Sequence, residues 1–124
     1  MIFGNGIDLV DVKRIQKQIE SESGLEERVF TSDEIKYCKS KRYSAQHFAA
    51  RFAAKEAFFK AIGIGWRNGL AFIQIEICND ELGKPSLVLH SKAKDFIKDN
   101  NITGIQVSLS HTRDQACAIV TLEK

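Results

Sequence analysis

Two hydrophobic periods alternate along the chain. Residues 2–10 are mostly apolar, broken by Gly4 and Gly6, and predict a short strand ending near Asp8. Val12, Ile15 and Ile19 then recur at helical spacing, with Asp11 placed to cap the helix and Lys13, Arg14 and Lys17 on its other side. Thr31-Ser32-Asp33-Glu34 has the form of a capping box, in which the Thr31 hydroxyl and the Glu34 carboxylate each satisfy an orphan backbone N–H. A short helix through Tyr37 and Cys38 should follow. The longest helix is expected over 45–62, rich in alanine and phenylalanine, with Phe48, Ala49, Phe52 and Phe59 on its main apolar face and Gly63 and Gly65 as its stop. Beyond it the period shortens to two. Ile73, Ile75 and Ile77 alternate with polar residues as in a strand, residues 80–85 form a turn, and 87–90 return as a strand. Ser91 is placed to cap a helix through Phe96 and Ile97 that ends at Asn100-Asn101. Val107 and Leu109 alternate with Ser108 and Ser110, and a turn at 112–114 leads to a last strand over 116–122. No repeat or low-complexity linker interrupts this order, so the reading is one continuous α+β domain, 1–124.

Composition changes this picture little. With 44% hydrophobic and 27% charged residues the chain has the make-up of a soluble globular protein rather than a disordered one. The net charge of +2 is too small to imply nucleic acid. Its distribution is uneven, with Lys13, Arg14 and Lys17 followed by Lys36, Lys39, Lys41 and Arg42. Such runs form solvated faces or docking surfaces. Cys38, Cys78 and Cys117 are odd in number, widely spaced and without a Cys-x-x-Cys pair. This argues against a disulfide framework and a zinc site, and for a reducing cytoplasm. Neither a signal peptide nor a membrane-spanning run is visible.

The chemistry-bearing residues are few. At 100° per residue Glu56 falls inside the apolar arc of the long helix, between Phe52 and Ala49. An ionised carboxylate there needs compensation. An ion pair with Lys60, one turn along, would supply it, and so would a bound metal ion. Asp8 ends an apolar strand, where a carboxylate serves as a cap, a turn residue or a ligand. Two carboxylates from separate elements suit magnesium, which keeps several waters and takes one or two carboxylates together with substrate phosphates. Gly63-x-Gly65 follows a helix instead of opening one, so it is not a nucleotide-binding fingerprint, although glycine backbone lets a phosphate approach closely. Gly83-Lys84-Pro85 reads as a turn. Ser108, Ser110, His111 and Thr112 could suggest a serine hydrolase, but the Gly-x-Ser-x-Gly elbow is absent.

Taken together, these segments resemble one family. Gly6-Ile7-Asp8-Leu9-Val10 followed by Arg14-Ile15, Arg51-Phe52-Ala53-Ala54-Lys55-Glu56-Ala57 with Lys60-Ala61, Gly83-Lys84-Pro85, and Ser108-Leu109-Ser110-His111-Thr112 are similar, in order and separation, to the blocks of bacterial holo-acyl-carrier-protein synthases, small trimeric 4′-phosphopantetheinyl transferases. The resemblance spans essentially the whole chain. It implies a compact α+β unit with a strongly bent antiparallel sheet around the central helix. It also implies transfer of 4′-phosphopantetheine from coenzyme A to a serine of apo-acyl carrier protein, with Mg²⁺ held by Asp8 and Glu56. Lys60 would be a phosphate-contacting catalytic lysine. Gly63 and Gly65, Lys84 and Pro85, and Ser110, His111 and Thr112 would line the coenzyme, the last two at its nucleotide end. Sites between the subunits of a homotrimer are expected. Phe59 stands where that family commonly has a small or polar residue, and Gln115 where an aromatic is expected.

On this resemblance Mg²⁺ and Lys60 would offset charge on the diphosphate while the carrier serine attacks the β-phosphorus in line, with Glu56 or a metal-held water as base. Acyl carrier proteins are acidic, which makes Lys13, Arg14 and Lys17 a docking surface. Two other readings of the residues exist. A non-catalytic module binding coenzyme A or an acidic protein would use Lys60 and the basic helix without needing the Asp8–Glu56 pair. A small RNA-binding domain would use the basic face, against which the low net charge counts; neither nucleic acid nor membrane is an expected partner.

Overall fold

In a computed structural model of the chain, describing residues 1–65, 67 and 69–124, the hydrophobic pattern becomes five strands and five α-helices among the described residues. Strand β1 (Ile2–Asp11) leads into α1 (Val12–Glu20), then α2 (Leu25–Val29), α3 (Ser32–Lys39) and the central α4 (Ser44–Ile62). A 3₁₀ turn at Phe72–Gln74 precedes β2 (Ile75–Asn79) and β3 (Pro85–Leu89), followed by α5 (Ser91–Asp99), β4 (Gly104–His111) and β5 (Gln115–Glu123). The strands form an antiparallel sheet of order β1-β5-β4 and an antiparallel pair β2-β3. The bend expected of the sheet is thus a break between two hydrogen-bonded units, with β3 packed beside β4.

α4 is apolar on every side, and it is buried accordingly. Phe48, Ala49, Ala53, Ala54, Ala57, Phe58, Phe59, Ala61 and Ile62 are in the core. Phe52 and Glu56 are half-buried and Lys60 is exposed. Those three, spaced by four, form the one stripe of the second half of α4 that its neighbours leave open. Glu56 therefore lies beside the covered arc and not within it as the wheel suggested. With apolar residues all round the helix, periodicity could not show which stripe the fold leaves uncovered.

Two glycines let β1 lie directly on α4. A Cβ on Gly4 would fall 1.9 Å from the Ala61 carbonyl oxygen, and one on Gly6 would fall 1.9 Å from that of Ala57. Two strand residues cover about 6.8 Å and four helix residues about 6 Å, so strand and helix keep step. The next residue on this face is Asp8. The Gly6→Ala variant must push strand and helix apart. It should lose about 3 kcal/mol of stability, the upper end of ordinary overpacking, read as a lowered urea midpoint; an unchanged midpoint would refute the close approach.

The caps show where local sequence signals succeed and fail. The Thr31–Glu34 capping box is present, with Glu34 N–H donating to Thr31 Oγ1 at 3.2 Å and Thr31 N–H donating to Glu34 Oε1 at 3.0 Å. Gly63 ends α4 in the left-handed region at φ 79°. Asp11 occupies the N-cap position of α1, but its side chain accepts no capping bond; the Val12 N–H donates to the Asp114 carbonyl at 2.9 Å instead. Ser91 does not cap α5. It is the first helical residue, and the Ala93 N–H donates to Oε1 of Gln74 at 3.1 Å. Ile73 lies in the 3₁₀ turn, not in the strand. Both missed caps come from segments distant in sequence, which no local pattern reveals.

The three cysteines are free, and burial pushes the Cys38 thiol up to about 12. Among the described residues no helix is long and apolar enough to cross a membrane.

Candidate active site

Asp8 reaches its place because the alternation of β1 puts it on the same face as Gly4 and Gly6, toward α4. Lys60, on the open stripe of α4, donates to Asp8 Oδ1 at 3.0 Å and to the Ile7 carbonyl at 3.0 Å. Lys60 is therefore tied to the strand and is not the ion-pair partner of Glu56. The Glu56 carboxylate has no hydrogen bond or ion pair among the described residues. Burial pushes its carboxyl up, the Asp8 charge raises it further, and Lys60 and Arg14 partly oppose this. Arg14 on the exposed face of α1 is thus close enough to act on Glu56, whereas Lys13 lines a cavity with Arg42, Tyr43 and Ser44 at the start of α4.

The donor set fits a hard divalent ion. Two carboxylates from separate elements face one another's charge, and one of them has no protein counter-ion. Among the described residues no cluster of three or more His, Cys, Asp and Glu exists that would cage a metal on its own. A pair of carboxylates with open positions for water and phosphate is the arrangement that suits Mg²⁺.

Of the remaining predicted residues, Gly63 and Gly65 adjoin this cluster, and most of the others form a second group. Gly63 and Gly65 follow α4 just beyond Lys60. Lys84 lies in the β2–β3 turn and Pro85 opens β3. Asn79, paired with Pro85, donates from its side chain to the Gly83 carbonyl at 3.0 Å and accepts from Arg51. Arg51 was visible in the sequence only as part of a motif. It is 2% exposed, its guanidinium lies 4.2 Å over the Tyr37 ring, and its Nε has no partner among the described residues. It lines a cavity of about 170 Å³ with Asp33, Tyr37, Glu76, Cys78 and Asn79. Tyr37 packs edge-on to His47 (6.0 Å), and His47 packs edge-on to His111 (5.8 Å). A continuous stack therefore runs from Arg51, joined to the Lys84–Pro85 hairpin, to His111 at the end of β4. Thr112 Oγ1 organises the following turn by accepting from the N–H of Gln115 at 3.2 Å. Ser110 alternates to the opposite face of β4 from His111 and does not join them.

The two groups do not meet within one chain. His47 and Lys60 are thirteen residues apart on α4, or about 20 Å along the axis. The departures at Phe59 and Gln115 touch neither group's charged atoms. Phe59 is a core residue packed 5.3 Å from Phe72 and 6.1 Å from Phe58. Gln115 is exposed and opens β5 opposite Asp11; nothing in the structure explains its identity.

Comparison with known proteins identifies the family. The 4′-phosphopantetheinyl transferase superfamily matches residues 4–120. The holo-(acyl-carrier-protein) synthase of Geotalea daltonii is 48% identical over 125 aligned residues, covering 100% of both chains. The crystal structure of holo-(acyl-carrier-protein) synthase from Neisseria meningitidis superposes with a TM-score of 0.90 at 34% identity, covering 100% of both chains. That of the Bacillus anthracis synthase in complex with CoA (3′,5′-ADP) superposes with a TM-score of 0.82 at 34% identity, over 99% of this chain and 97% of that one. With a family match across nearly all its length and relatives aligned end to end, the chain belongs to the 4′-phosphopantetheinyl transferase superfamily.

Proposed function

We propose that the chain transfers 4′-phosphopantetheine from coenzyme A to a serine hydroxyl of an apo-acyl carrier protein, releasing 3′,5′-ADP, and that residues 1–124 form one phosphopantetheinyl transferase domain. The observation that carries the site reading is the Asp8–Glu56–Lys60 cluster. It joins two carboxylates, one of them unpaired, to an ammonium group on the open stripe of α4. A module that only bound coenzyme A would have no use for an unpaired, half-buried carboxylate beside a second one.

Asp8 and Glu56 would hold Mg²⁺. When bound, such an ion neutralises charge on the coenzyme diphosphate and on the departing 3′,5′-ADP. Lys60, 3.0 Å from Asp8, lies where a phosphate held beside that carboxylate would meet a fixed positive charge. The backbone at Gly63 and Gly65 leaves room beside Lys60 for the diphosphate. Lys84, Pro85, His111 and Thr112 would receive the nucleotide end, and Arg51, bound to Asn79, would fix the hairpin that carries Lys84 and Pro85. Ser110 would contribute through the strand backbone rather than its side chain.

A homotrimer with sites between subunits accounts for the separation of the two groups. Its support is the outer face of the three-stranded sheet, where Ile7, Leu9 and Ile119 are 65%, 60% and 40% exposed and Ile7 is paired with Ile119. A continuous apolar face on a small domain marks a contact surface. Three free cysteines favour a reducing, cytoplasmic setting.

The reading is tested by mass spectrometry of apo-acyl carrier protein incubated with the chain, coenzyme A and Mg²⁺. A gain of one phosphopantetheine, lost with chelator, is the expected result; no gain across several bacterial carriers removes the enzyme reading. The Arg14→Glu variant should raise KM for the carrier about tenfold and leave coenzyme affinity nearly unchanged, because charge at a docking rim governs encounter. Unaltered carrier kinetics in that variant would remove the docking role of Lys13, Arg14 and Lys17.

A further inference from the structure

His47 lies at the middle of the stack that joins Arg51 to His111, yet neither the metal cluster nor the docking face uses it. Its half-buried ring has Tyr37 of α3 on one edge and His111 of β4 on the other. Neither imidazole has a hydrogen-bond partner among the described residues. His111 also lines an open cavity of about 640 Å³ with Tyr43, Gln46, Thr112 and Arg113. An imidazole that opens on a cavity beside Arg113, backed edge-on by a second imidazole, is a place where an anion could be received.

We propose that His47 is a positioning and proton-linking residue for the coenzyme's phosphate-bearing nucleotide end: it fixes the His111 ring edge-on, and the pair takes up a proton from solvent when the phosphate binds. The inference rests on the coenzyme reading given above and deepens it. The groups facing His47 are the Tyr37 ring, the Lys41 ammonium after α3, the Arg51 guanidinium one turn along α4 and His111. Burial, then His111, Arg51 and Lys41, hold its imidazole below the usual histidine range, so the free protein keeps it neutral. An anion seated against His111 reverses the sign of the local field and restores the charged form. No group facing His47 is acidic at neutral pH, so an anionic ligand is the only available source of that reversal among its neighbours.

The sign follows from linkage. A ligand that raises the proton affinity of the pair binds more tightly as pH falls. The affinity gain approaches about tenfold per pH unit, for each proton taken up, between the titrations of the free and bound forms.

The test uses the full chain and 3′,5′-ADP as ligand. Calorimetry at pH 7 in two buffers of different ionisation enthalpy should show net proton uptake, and the His47→Phe variant, which keeps an aromatic edge, should lose about half of it. The ligand's own phosphate titration is common to both proteins and cancels in the difference. NMR titration of the His47 ring in the unaltered protein gives the same answer if the variant fails to fold: its midpoint should move up when ligand saturates the site. Binding with an unmoved His47 midpoint, or equal uptake in both proteins, overturns the inference and leaves the coenzyme reading intact. Absence of 3′,5′-ADP binding by the unaltered protein overturns the coenzyme reading and this inference with it.

Discussion

The Glu56→Gln variant should lose carrier modification by about 10²–10³-fold, the usual cost of removing one preorganised charge that stabilises a transition state, and should become more stable near neutral pH. Both effects come from the same atoms. Burial and the Asp8 charge raise the Glu56 carboxyl, so the folded chain prefers it protonated relative to the unfolded chain. Stability from that preference is complete below the unfolded carboxyl value of 4.5, and it is lost as pH rises through the higher folded value. Glutamine carries no charge at any pH and escapes this loss. As pH rises above 4.5 the melting temperature of the parent should therefore fall relative to that of the variant. Rates come from the mass-gain assay and stabilities from thermal melts across that pH range. A variant with full activity would remove Glu56 from the site. A variant less stable than the parent at pH 7 would show that Glu56 is compensated by something other than a bound ligand. The trade is a familiar one, since groups that serve activity often cost stability.

Much of this fold was legible because its signals are local. The Thr31–Glu34 box, the Gly63 stop and the alternation at Val107 and Leu109 each involve residues within four positions of one another, and all three are present as the sequence implied. What was not legible involved distant partners. Gln74 caps α5 because the 3₁₀ turn carries its amide to Ala93 N–H, and no spacing rule connects those residues. Gly4 and Gly6 read as interruptions of a strand, whereas the fold needs them because α4 lies too close to admit a Cβ.

The site divides along the same line. Glu56 stood out in the sequence because a charge in an apolar helix needs explanation. Asp8 did not, since its importance lies in a register that places it one step beyond Gly6 on the face toward α4. The Lys60–Glu56 pairing was reasonable from helix geometry but loses to a better acceptor. Lys60 finds Asp8 and the Ile7 carbonyl together across the interface, and two acceptors on a fixed strand hold an ammonium better than one carboxylate a turn away. The family resemblance supplied the grouping of Asp8 with Glu56, which the pattern alone could not.

The Lys55→Met variant should cost about 3–5 kcal/mol, the price of leaving one member of a buried ion pair alone. Lys55 and Glu34 are both fully buried, 2.8 Å apart. The Lys55 ammonium also donates to the Phe72 carbonyl at 3.1 Å and to that of Ile75. Glu34 accepts from Thr31 N–H at 3.0 Å and from Ile77 N–H at 3.1 Å. The pair thus ties α3, α4, the 3₁₀ turn and β2 at one point, about 100° around the helix from Glu56. Against a typical stability of about 5–15 kcal/mol, a loss of this size brings the domain close to unfolding. Most of the cost is the carboxylate left without its counter-charge, so adding Glu34→Gln to the Lys55→Met variant should recover about 2 kcal/mol of it. Urea denaturation of the parent, both single variants and the double variant closes the cycle. If the two losses simply add, the pair contributes no coupling, and the α3–α4 junction is held by its apolar contacts and backbone hydrogen bonds alone. Recovery would show that the lysine adjoining Glu56 in the chain serves the scaffold. Helical phase would then separate the buried Lys55 from Glu56 and Lys60 on the open stripe, a division that residue type alone does not show.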